Sequence, residues 1–382
     1  MAPRVGIEPT TNGLTVRRST AELPGKLGGT QSKGANSPVT ALLSSRNPRL
    51  YFHDVGAISC RAVIQRWHNR DIMSVTPKVP QAGGLLNAFS IDVEDYFQVA
   101  ALAPAISRES WPTREYRVER NTEVILNLLA ERGIRGTFFI LGWVAEKSPH
   151  LVKRIAAAGH EVACHGYSHQ LIYTQTQEVF REETLRAKRF LEDTIGVAVT
   201  GYRAASFSIT RNSLWALDTL IDAGFEYDSS VFPIKHDRYG IPGASPEPGN
   251  ISAPSKRTLV EFPMSAAKFA GVQVPVSGGG YFRILPYWVT RAGLKQINEQ
   301  AGRPFTFYLH PWEVDPGQPR VKVKAFSRFR HYTNLHVCEQ RLRQVLSDFR
   351  FGTMREVLEG RGLLSPNADA KSEPRLQEAA TA

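Results

Sequence analysis

An α/β protein of parallel strands joined by crossover helices is the fold class that three features of this chain predict. From residue 85 onward, short apolar runs alternate with amphipathic stretches of helical period, the repeating unit of a parallel sheet, open or closed into a barrel. The apolar run 85–91 goes straight into Asp92-Val93-Glu94-Asp95, and a second run, 161–164, goes straight into His165-Gly166-Tyr167-Ser168-His169. Chemistry in such folds collects where strands emerge into loops, and both runs deliver ligand-type side chains there.

Each element follows from a local signal. After the strand over 85–91 comes an aromatic loop with Tyr96, Phe97 and Trp111. Residues 121–132 place Val124, Ile125, Leu128 and Leu129 on one helical face, and Gly133 ends the helix. A strand is expected over 136–141, a helix over 149–158 that stops at Gly159, and then the strand that bears the histidines. Helices over 176–194 and 211–223 alternate with strands over 199–204 and 225–228. Pro, Gly and the run Ser277-Gly278-Gly279-Gly280 break the rhythm between 233 and 284, which reads as long loops around short strands such as 259–262. Loops of that length usually border a site. A helix over 286–300 and a strand over 304–309 lead into His310-Pro311-Trp312-Glu313, and 334–347 is a last long helix.

Composition bounds what this fold can do. At 382 residues, 42% hydrophobic and 22% charged, the chain can bury one large core. The first 80 residues hold 11 Lys and Arg against 4 Asp and Glu, leaving 36 basic against 32 acidic residues of the formal +11 elsewhere. The basic excess is thus concentrated outside the expected domain, and no basic stripe interleaved with aromatics marks a nucleic-acid binder there except Lys322 to Arg330. That run reads first as a solvated face; an anionic glycan or a lipid-linked diphosphate would give it a use. Three scattered cysteines, Cys60, Cys164 and Cys338, imply no disulfide framework and fit a reducing compartment. With no apolar run of membrane-spanning length and no signal-peptide core, a cytoplasmic location without stable membrane insertion is the expectation. Residues 1–80 lack periodicity of either kind. They are expected to be a disordered extension, or translated non-coding sequence ahead of a start at Met73. The domain is expected over 81–364, with a polar tail over 365–382.

Two imidazoles four residues apart can close on one divalent cation. Three acids at the end of an apolar strand are costly to desolvate unless paired or bound to a cation, and period-two alternation sends Asp92 and Glu94 to the same side. One carboxylate can then ligate while the other takes a proton.

Asp92-Val93-Glu94, His165-x-x-x-His169, Gly201-Tyr202-Arg203, Tyr227-Asp228-Ser229-Ser230 and Leu309-His310, in that order, resemble the motifs of the NodB-type polysaccharide deacetylases over roughly residues 85–360. The likeness points to the subfamily of exosortase-type (PEP-CTERM) exopolysaccharide loci. It implies a distorted (β/α)7 barrel and removal of N-acetyl groups from amino sugars of an exopolysaccharide or its precursor. It also implies a divalent metal, zinc by preference or cobalt, held by Glu94, His165 and His169. By the same resemblance Asp92 is the general base, Arg203 orients it, and His310 is the general acid. Asp228 either pairs with His310 or caps a loop. Val93 stands where the family has a second adjacent Asp, so the third ligand is Glu94 or Asp95, with strand alternation favouring Glu94. Ala205 replaces a Pro of the Arg motif, which bears on the local loop.

Trp312 and Tyr281 are candidates to stack on a sugar ring, Trp312 by its nearness to His310; Trp143 reads as core as readily. Cys164, His160, His150 and His236 are expected to be structural or superficial. Two other functions compete: an allantoinase-like cyclic amide hydrolase on the same fold, and a non-catalytic sugar-binding module. The sequence leaves the oligomeric state open.

Overall fold

The computed structural model describes residues 84–236 and 238–366. The expected extension over 1–80, and all but the first two residues of the expected tail, lie outside the described residues.

The chain begins with strand β1 (Leu86–Val93), followed by helix α1 (Val118–Ala130), β2 (Thr137–Ile140), α2 (Gly142–Lys147), α3 (Pro149–Ala157) and β3 (Glu161–Cys164). Then come α4 (Gln177–Ile195), β4 (Gly201–Tyr202), α5 (Trp215–Asp222) and β5 (Tyr227–Asp228). The stretch expected to be long loops around short strands contains β6 (Gly249–Ser252), β7 (Thr258–Glu261) where the strand over 259–262 was expected, a hairpin of β8 (Ala266–Phe269) and β9 (Val272–Pro275), and α6 (Gly279–Ile284). Helix α7 (Tyr287–Lys295), β10 (Thr306–Leu309), α8 (Ala325–Tyr332), α9 (Leu335–Asp348), β11 (Arg350–Gly352) and α10 (Met354–Gly360) complete it.

Eight of these strands run parallel, seven in the order β10-β1-β2-β3-β4-β5-β7 and β11 beside β1, with β6 added antiparallel at the far edge. This is the expected parallel α/β architecture. Side-chain hydrogen bonds and one isolated backbone bridge, not a ladder, span the seam between the chain after β7 and β10. Thr306 donates its N–H to Ser265 Oγ, Ser277 Oγ donates to the Ser265 carbonyl, and the Tyr308 N–H reaches the Ser277 carbonyl. The glycine run makes this approach possible: Gly278 sits at φ +136° against the Tyr308 backbone, where a Cβ would collide. What reads in sequence as loose loop is therefore the wall that closes beside β10.

Alternation along β1 sorts the core. Phe89, Ile91 and Val93 pack outward with the helices, whereas Ala88 shares an inner cluster with Phe139, Ala163, Tyr227 and Met354. Ser90 and Asp92 have the parity of Ala88, so the first strand carries its polar side chains toward that interior. Below them Tyr227 Oη donates to Glu161, and the Met354 N–H at the start of α10 donates to Thr137 Oγ1.

Candidate active site

At the carboxyl end of β1 the chain turns on Asp95, whose carboxylate accepts the N–H groups of Tyr96, Arg117 and Val118. Asp95 thus caps the start of α1, and this moves the helix N-terminus three residues ahead of the position expected from its apolar pattern. Burial raises its carboxyl to about 6 against those hydrogen bonds. The same use removes Asp95 from the alternatives for a ligand.

Glu94 points the other way. Its carboxylate, His165 and His169 each offer a ligand atom, and these atoms all lie within 4.8 Å of one another. His165 Nδ1 lies 2.8 Å from the Arg203 carbonyl; since a carbonyl only accepts, that nitrogen carries the proton and Nε2 keeps its lone pair for a cation. Burial lowers the His165 pKa to about 4, so the ring is neutral, as a ligand must be. Glu94 Oε2 is buried and 2.9 Å from His169 Nε2, with no well-formed hydrogen bond of its own. A buried carboxylate oxygen so placed, facing two imidazoles, fits a divalent cation. Burial alone would push the Glu94 carboxyl up, but His169 and then His310 outweigh it and bring it to about 2.

Asp92 lies beside this triad. Arg203, wholly buried from the end of β4, donates Nη1 to Asp92 Oδ1 at 2.6 Å and to Ser90 Oγ at 2.9 Å. Its other nitrogens bond Ser229, and its plane lies 4.1 Å from the Phe139 ring centre. Such a guanidinium has one orientation, and so has the carboxylate it holds. Asp92 Oδ2 remains, facing His310 Nε2 at 3.9 Å.

His310 follows β10 and is the most exposed member of the group, at 17%. Its Nε2 is 3.5 Å from Glu94 Oε1, and its Nδ1 bonds Glu313 Oε1 at 2.7 Å. The carboxylate behind His310 is therefore Glu313, not Asp228. Burial would raise the Glu313 carboxyl, but Arg283, at 2.6 Å, and His310 hold it below the usual carboxylate range. Burial likewise depresses His310, and is overcome by Glu313, Glu94 and Asp92, which raise it to about 9. Asp228 accepts from Ser230 Oγ at 2.6 Å, and Ser230 Oγ in turn accepts the Ala204 N–H. Its role is the loop brace, next to the residue that bears the guanidinium. Burial raises Asp228 to about 6, and burial together with the neighbouring Asp228 raises Glu261, opposite it on β7, well above the usual range.

Trp312 does not offer a face to a sugar. It is 4% exposed, with His310 stacked 5.1 Å away and His331 at 4.3 Å. Its indole N–H points instead at Glu94 Oε1, 3.2 Å distant, so it orients a carboxylate of the candidate triad. Tyr281 stays partly exposed on α6, the element that follows the glycine seam. Among residues expected to be structural, His160 is buried and accepts the Gly136 N–H, Cys164 is buried with its thiol raised to about 12 by burial, and His150 is a surface partner of Glu119. His236 stacks on Tyr239 at 3.7 Å. Glu313, Arg283, Ser90 and Ser229 are the members to which sequence reasoning gave no role; Glu313 left a signal in its i,i+3 spacing from His310 at a helical start, and Ser229 in its place within the Tyr227–Ser230 motif.

Fold and site together define a class: a parallel α/β protein with a Glu-His-His centre suited to a divalent cation, flanked by an arginine-held aspartate and a histidine. Residues 111–226 match the family model described as Polysaccharide deacetylase, and 229–359 match one described as Domain of unknown function (DUF3473). The polysaccharide deacetylase family is supported by that match and by the names of curated relatives. A peptidoglycan-N-acetylglucosamine deacetylase of Bacillus cereus is 35% identical over 98 residues, 25% of this chain and 36% of its own length. A chitooligosaccharide deacetylase of Sinorhizobium fredii is 31% identical over 137 residues, 34% of this chain and 63% of its own. This chain therefore spans less than two thirds of either relative. An allantoinase structure covers 78% of this chain and 99% of its own at 16% identity and TM-score 0.49, a likeness that bears on neither substrate nor chemistry. Asp92 and Glu94 precede both matched stretches, and His310 with Glu313 falls in the second.

Proposed function

We propose that this protein hydrolyses the N-acetyl groups of amino sugars in an exopolysaccharide or its precursor, with a divalent cation held by Glu94, His165 and His169. The observation that carries the reading is the convergence of that triad with Asp92 and His310. Two imidazoles and one carboxylate suit zinc, with cobalt as an alternative. When bound, such a cation supplies Lewis acidity, polarising the amide carbonyl and lowering the pKa of water. The remaining work falls to this chain's own groups. Asp92, fixed through Oδ1 by Arg203, accepts the proton of the attacking water at Oδ2. His310 holds a proton on Nε2, because Nδ1 is engaged by Glu313 and its pKa lies above neutrality; it delivers that proton to the departing nitrogen, otherwise a poor leaving group. Motif resemblance supports the finer placement in an exosortase-type exopolysaccharide locus, and the scattered cysteines support a cytoplasmic location.

Acetate release by the full chain with zinc or cobalt tests the reading, using N-acetylglucosamine oligomers and, in parallel, cyclic ureides. Turnover of the oligomers is expected, and Asp92→Asn should lower kcat by about 10²–10⁴-fold, the usual share of one general base. Ureide turnover alone would transfer the assignment to a cyclic amide hydrolase. A bound metal without turnover of any amide would favour a sugar-binding module.

A further inference from the structure

The basic run ahead of and within α8 has no part in the chemistry above. Residues 316–334 contain no acid and five cations: Arg320, Lys322, Lys324, Arg328 and Arg330. Val321 and Val323 pack inward on an aromatic cluster, and the intervening Lys322 and Lys324 face out. On α8 the inward side is marked by His331, which is buried against Trp312. The opposite side presents Phe326 and Phe329, one turn apart and 66% and 51% exposed, with Arg328 beside them. A helix that turns its phenylalanines outward among cations is the reverse of a solvated face. A soluble polyanion would use the cations but gain little from the rings. An anionic bilayer uses both, with phosphates at the depth of the cations and an apolar layer beneath for the rings. No helix among the described residues is long and apolar enough to cross a membrane, so the contact is peripheral.

We propose that α8 and the segment before it form a docking surface for an anionic lipid bilayer. The stack His310–Trp312–His331 ties this surface to the wall of the site, so docking would bring the site close to the lipid surface. The inference stands apart from the proposed hydrolysis, since lipid binding requires no turnover.

Co-sedimentation of the full chain with vesicles tests it. Binding is expected to equimolar phosphatidylcholine and phosphatidylglycerol, not to phosphatidylcholine alone, and should weaken as salt rises. Lys322→Gln and Lys324→Gln should each weaken it about fivefold. Phe326→Ser combined with Phe329→Ser should weaken it about tenfold or more, with thermal unfolding and acetate release from a soluble oligomer unchanged. Absence of binding to the anionic vesicles would overturn the proposal. So would binding that the phenylalanine variants leave intact, which would assign it to basic residues elsewhere, and so would equal affinity for a soluble polyanion such as heparin.

Discussion

Asp92 and Glu94 show how far a two-residue spacing determines chemistry. Both point into the same space, but Arg203 takes one oxygen of Asp92 while Glu94 Oε2 makes no well-formed hydrogen bond, so neighbours separate the proposed proton acceptor from the proposed cation ligand. The same logic makes Glu313 testable. Glu313→Gln keeps a hydrogen bond to His310 and removes the charge that helps to hold its pKa near 9. His310 must be protonated to act as an acid, so lowering its pKa should shift the basic limb of the kcat–pH profile to lower pH. A limb that stays in place would remove His310 from the acid role. Trp312→Phe keeps the ring stack but loses the N–H on Glu94; titration calorimetry should show metal affinity falling about 10–100-fold. A sugar-stacking role would raise KM at unchanged metal affinity instead. The acids and histidines were legible because alternation and an i,i+4 spacing are local. The choice of Glu313 over Asp228 left only the i,i+3 spacing from His310 as a local signal, and that Asp228 is instead bonded to Ser230 was not legible.

Elements that bury a continuous apolar run, such as β1, β2, β3 and β10, were visible in the sequence. The strands expected over 199–204 and 225–228 are present but shortened to two residues each, β4 and β5, with one or two paired register positions. Elements made by contact were not visible. The β8–β9 hairpin and α6 arise in a Gly- and Pro-rich stretch whose local preference is irregular, and tertiary contacts override it. Gly278 is the residue on which that override rests. Gly278→Ala would force an L side chain into φ +136° and drive its Cβ into the Tyr308 backbone, two residues before His310. Urea unfolding should show a loss of more than about 2 kcal/mol, and the residual folded protein should have reduced kcat, since the seam positions β10. An unchanged stability would mean that the seam is not a structural closure.

For the whole molecule, polar groups sit at both ends of a parallel-stranded core, and only one end holds the proposed chemistry. At the other end, His160 precedes β3 and accepts the Gly136 N–H on Nδ1 at 3.2 Å, its ring 4.8 Å from that of Phe138. Burial, aided by Arg154 and Arg135, lowers its pKa to about 4. The folded state therefore keeps this ring neutral at a pH where the unfolded chain, with an ordinary value near 6.5, already binds a proton. Stability from His160 is fully present above about 6.5 and lost progressively as pH falls toward 4, because the unfolded state gains protons that the folded state refuses. His160→Asn supplies an oxygen to the same N–H and does not titrate. Urea unfolding of the two proteins at neutral pH and near pH 4 should show the wild type losing about 2 kcal/mol more than the variant, after partial screening by solvent. Because His160 is remote from the metal triad, the difference should be the same with and without zinc. A zinc-dependent difference would show that the two ends of the core are energetically coupled.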